Sequence, residues 1–60
     1  MCYAIKIKDL RVGMHWQPFS WKPFEEVTSI RESGFDSNCL LINDKFYMHK
    51  ETYAYVKESL

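Results

Sequence analysis

Two cysteines and two histidines, Cys2, His15, Cys39 and His49, are the side chains of this 60-residue chain best suited to hold a metal. Tetrahedral zinc takes such a set, but structural sites bring ligands in as close pairs, so that one short knuckle presents two at once. Here successive candidates stand 13, 24 and 10 residues apart. No pair exists, and no metal or other cofactor is expected. A nucleophile is equally poorly prepared. Cys39 opens the apolar run Cys39-Leu40-Leu41-Ile42, and apolar surroundings disfavour the thiolate that attacks. Cys2 has no basic residue nearer in sequence than Lys6. Gly13 and Gly34 are isolated, so no glycine-rich phosphate cradle is present. Glu25 and Glu26 would point to opposite faces of a strand, where they cannot share a proton as acid and base. The chain is therefore read as a non-enzyme.

The densest chemistry is aromatic. Trp16, Phe19, Trp21 and Phe24 fall within nine residues, interleaved with Pro18, Lys22 and Pro23. Aromatics on a stiffened loop can stack bases while a nearby Lys or Arg meets phosphate. They can equally serve as rigid anchors of a protein interface, where Trp, Tyr and Arg are enriched. A purely structural role is also open: Phe24 and one tryptophan could plug the end of a small barrel, since so small a core uses every large side chain. Eight Lys and Arg balance eight Asp and Glu. That zero net charge weighs against nucleic acid, whose affinity comes largely from phosphate neutralisation. The loop is read first as protein-binding, and second as a single-strand platform built on Trp16, Phe19 and Trp21.

These side chains need elements to hold them. Tyr3 to Lys8 alternates, with Tyr3, Ile5 and Ile7 on one face and Ala4, Lys6 and Lys8 on the other, a half-buried strand. Asp9 to Gly13 reads as a turn, with Gly13 free to take a positive φ. Met14-His15-Trp16 resumes an extended pattern. Two prolines then make Gln17 to Pro23 a loop. Residues 24 to 34 admit two readings. Phe24, Val27 and Ile30 at i, i+3 and i+6, with Pro23 before them and Gly34 beyond, fit a helix. Val27-Thr28-Ser29-Ile30 is a poor helix interior, and a strand is favoured.

Cys39 to Ile42, Asn43-Asp44 and Phe46 to Met48 read as a hairpin with a two-residue turn. Leu41 would then oppose Phe46, and Cys39 would oppose Met48. Leu40, Ile42, Tyr47 and His49 would form the other face. Both faces are apolar enough that one needs cover, from a C-terminal helix, a second copy or another protein. The candidate partner-binding set is accordingly Trp16, Phe19, Trp21, Lys22, Leu40, Ile42 and Tyr47. Lys50 to Leu60 reads as that helix, with Tyr53, Val56 and Leu60 on one stripe.

The expectation is one domain over residues 1–60, α+β or mainly β: a small, strongly curved antiparallel sheet, SH3-like, with one C-terminal helix. A chain this long exposes about 4,100 Å² when folded. Burial of its apolar surface, on the order of 95 kcal/mol, nearly cancels an ordering cost on the order of 90 kcal/mol. Such a margin leaves little for a strained catalytic pocket. No apolar run exceeds five residues, so no membrane span or signal peptide is read. Two cysteines are too few for a secreted domain this small, and the cytoplasm with reduced thiols is expected. The functional expectation is a module that binds another protein, as a regulator or inhibitor of the kind encoded by phages and mobile elements. A nucleic-acid-binding barrel and a self-associating homodimer are the alternatives.

Overall fold

A computed structural model describes residues 2–57. Seven strands follow one another: β1 (Cys2–Lys6), β2 (His15–Gln17), β3 (Glu25–Glu26), β4 (Ile30–Glu32), β5 (Cys39–Ile42), β6 (Phe46–His49) and β7 (Tyr53–Lys57). A single 3-10 turn, Ile7–Asp9, follows β1. The first sheet has the order β1-β7-β2-β3 and the second β4-β5-β6, with every pairing antiparallel. Among the described residues the molecule is all-β: it consists of two small sheets, which do not close into the SH3-like barrel that the sequence suggested.

The helix expected over Lys50 to Leu60 does not form across its described part: Lys50 and Glu51 make a turn and Tyr53–Lys57 is strand β7, while positions 58–60 lie outside the described residues. Tyr53-Ala54-Tyr55-Val56 alternates, and the structure uses that period of two: Ala54 and Val56 are buried while both tyrosines are exposed. β7 fills the centre of the first sheet, where Val56 faces Tyr3 on one side and Trp16 on the other. Without it β1 and β2 would have no shared partner. Between β1 and β2, Gly13 takes a φ of +99°, as the turn requires.

The strand expected over residues 24 to 34 is split between the two sheets. The break at Val27–Ser29 has a visible cause. The Asn43 side-chain oxygen accepts the backbone N–H groups of Thr28 and Ser29, at 2.7 and 3.3 Å, which therefore do not join a ladder.

The hairpin forms with a different register. Asn43 and Asp44 take φ of 55° and 60°, as a primed turn demands, and Lys45 N–H donates to Ile42 C=O. Yet Ile42 pairs with Phe46, so the connection is three residues long. That extra residue moves the second arm by one position. Leu40, Ile42, Phe46 and Met48 now share the inner face, and Cys39, Leu41, Tyr47 and His49 the outer.

The core is Ile7, Leu10, Trp16, Val27, Leu40, Ile42, Phe46, Ala54 and Val56, with Ile5, Met14, Ile30 and Met48 packed against it. The accessible surface is 4100 Å², as the size relation leads one to expect. Among the described residues no helix is long and apolar enough to cross a membrane.

Candidate interaction surface

Only part of the aromatic loop is surface. Trp16 is fully buried, and its ring meets Phe46 edge-on at 5.4 Å. It is a core residue and cannot anchor a partner or stack a base. Its indole N–H finds no partner among the described residues, a cost of roughly 1–3 kcal/mol that burial of so large a ring outweighs. Leu40 and Ile42 are likewise core. Tyr47 is 50 % exposed, but on the outer face of the second sheet, turned away from Leu40 and Ile42.

What remains on the loop is a ladder of rings that climbs out of the core. Phe46, buried above Trp16, meets Phe19 edge-on at 6.0 Å. Phe19 in turn stacks on Trp21, with centroids 4.9 Å apart and planes 6° from parallel. Exposure rises along the series, from nil at Trp16 and 9 % at Phe46 to 37 % at Phe19 and 77 % at Trp21.

The backbone beneath these rings is tied at several points. Lys22 N–H donates to Phe19 C=O, closing a turn. Gln17 Nε2 donates to Lys22 C=O at 2.8 Å and reaches Ser20 C=O at 3.5 Å. Pro18 is buried and fixes φ at the start of the loop. Lys45 Nζ stands 5.3 Å from the Phe46 ring centre, and Lys22 is exposed, so the rim carries positive charge.

Sequence reasoning missed Gln17, Lys45 and Phe46 as supports of this loop. Phe46 could be found only by knowing the hairpin register. Gln17 carried a weaker signal, a two-ended amide directly before a proline. Phe35, almost fully exposed on the loop before β5, was also missed.

The four metal candidates divide between the sheets. Cys39 and His49 are opposite one another on the second sheet, while Cys2 and His15 both flank Lys57 on the first. Both cysteines are free, Cys2 exposed and Cys39 buried. Among the described residues no three His, Cys, Asp or Glu side chains gather where they could hold a metal ion. No family model matches the chain, and no curated protein or solved structure matches it either.

Proposed function

We propose that this chain is a non-enzymatic binding module that engages another protein through the Phe19–Trp21 loop, with the Trp21 indole as anchor. The observation that carries the proposal is the stacked Phe19–Trp21 pair, exposed at its tip and propped on buried Phe46 and Trp16. Tryptophan is enriched among the residues that dominate binding energy, because it brings a large apolar area with few rotors. Stacking and the Gln17 ties order the loop before any partner arrives, which lowers the entropic cost of association. The surface suits a partner with an apolar pocket wide enough for an indole and acidic groups at its rim, opposite Lys22 and Lys45. A regulator or inhibitor would use such a surface.

The test compares the two tryptophans. Trp21→Ala should change stability by no more than about 0.5 kcal/mol, as a surface substitution does. It should weaken binding to a partner isolated from host lysate by at least ~2 kcal/mol, roughly thirtyfold. Trp16→Ala should instead cost about 3–5 kcal/mol of stability. Partner affinity untouched by Trp21→Ala would refute the assignment.

One observation favours a second reading. Tyr53 and Tyr55 lie exposed side by side on the outer face of the first sheet, with Lys6 Nζ 5.9 Å from the Tyr53 ring centre. Two rings on a sheet near a cation could stack single-stranded bases, replacing the platform that buried Trp16 cannot provide. Oligonucleotide binding would then weaken with salt by roughly 0.7 log unit per phosphate contact for each tenfold rise.

A further inference from the structure

We infer that the free edge of β1 is a pairing surface for a second copy of this chain, joined antiparallel about a two-fold axis at Ala4. Among the described strands β1 lies at the margin of the first sheet, and at five residues it is longer than the other edge strands β3, β4 and β6.

The backbone phase on that edge is fixed from two sides. Ile7 N–H donates to Thr52 C=O at 2.8 Å, which turns position 7 toward the β7 side. By alternation Ile5 and Tyr3 turn the same way, leaving the N–H and C=O groups of Cys2, Ala4 and Lys6 directed outward. The far side of the sheet gives the same answer. Val27 N–H donates to Met14 C=O at 2.7 Å, which points Met14 and Trp16 toward β3. His15 and Gln17 then face β7, and Ala54 and Val56 of β7 face β1.

An antiparallel two-fold at Ala4 uses every outward group. Ala4 meets Ala4 of the copy, and Cys2 meets Lys6 twice, each pair exchanging both backbone hydrogen bonds. A two-fold displaced by one residue in either direction leaves one of these positions unmatched, so this register is self-selecting.

The side chains agree with it. Tyr3 lies on the core side of the sheet with Val56 and Trp16, yet is 43 % exposed because nothing described lies beyond the edge. In the pair it stands opposite Ile5 of the copy, an aromatic–β-branched combination that stabilises sheets. Ala4 brings no bulk to the axis. Natural edges are guarded by proline, bulges or free lysines. β1 has no proline, and the ammonium of its one lysine is held 2.8 Å from Glu51 of its own chain.

The full chain should therefore sediment at twice 7.2 kDa at high concentration and dissociate on dilution. Ala4→Pro removes an outward N–H without touching the β7 ladder, and should give a folded monomer. Should that variant unfold, cysteine crosslinking decides. In a Cys2→Ser background, Ala4→Cys places two thiols across the axis at the ~5.5 Å Cα spacing of a hydrogen-bonded pair, within disulfide reach. Mild oxidation should give a covalent dimer, whereas exposed Val12→Cys should not. A monomer at all concentrations, a dimer that survives Ala4→Pro unchanged, or equal crosslinking at positions 4 and 12 would each overturn the inference. None of these outcomes depends on the Trp21 loop.

Discussion

Asn43 shows how much one side chain can settle in so small a molecule. Its Oδ1 accepts from Thr28 N–H, Thr28 Oγ1 and Ser29 N–H, while its Nδ2 donates to Glu25 Oε2 and Glu26 C=O. It thereby bolts the hairpin of the second sheet to the end of the first, and does so from a φ of 55° that asparagine tolerates better than most residues. Asn43→Ala should strand the amides of Thr28 and Ser29 and add left-handed strain. A loss of about 2–3 kcal/mol is expected, read as a lower urea midpoint with an unchanged slope. The sequence marked Asn43 only as a turn residue, because its acceptor and donor partners lie 14 to 18 positions away. Trp16 and Trp21 make the same point. They have the same chemistry and neighbouring positions, yet one is core and the other surface, because Trp16 lies in a strand that faces Val56 and Phe46.

At the scale of elements, the alternating stretches were legible and the doubly patterned ones were not. Tyr3 and Ile5 against Ala4 and Lys6 described β1, although the strand expected to run to Lys8 ends at Lys6, where Ile7–Asp9 forms a 3-10 turn; the proline-bounded loop and the hairpin arms were placed to within a residue. Residues 53–57 satisfied both a helical stripe and a strand alternation. Val56 belongs to either pattern, and the central vacancy between β1 and β2 decided for the strand. Val56→Ala should test that position. As a fully buried residue between two neighbours, it should cost about 2 kcal/mol in thermal or urea unfolding. A surface helix would lose far less. The hairpin register was wrong by one on its second arm, since turn composition names the central residues but not whether a third joins the loop. That single residue decided whether Phe46 supports Phe19 or faces away from it.

For the whole molecule, the balanced charge seen in the sequence resolves into local pairs. Glu51 takes Lys6 at 2.8 Å and Lys8 at 3.5 Å, joining β1 and the 3-10 turn to the connection before β7. The hydrogen bond from Lys6, reinforced by its charge, holds the Glu51 carboxyl below its ordinary pKa, and the same bond raises Lys6. The signs are opposite. Glu51 adds stability above its unfolded pKa, and loses it as pH falls through the lower folded value. Lys6 adds stability below its unfolded pKa, and loses it as pH rises through the higher folded value. Glu51→Gln should therefore flatten both the acid and the alkaline decline of the urea midpoint, by a modest amount that salt suppresses. By itself, the sequence suggested a C-terminal helix that the described residues do not form, but it did determine an aromatic-rich, charge-balanced chain built mainly of short strands, with a proline-stiffened aromatic loop. Period, turn residues and composition are local quantities, and they were enough for that. Tertiary structure decided which tryptophan is buried, which arm faces inward, that residues 53–57 are a strand and that the sheets stay separate. Each of those depends on a partner far along the chain, and a strand has no hydrogen bonds of its own until that partner supplies them.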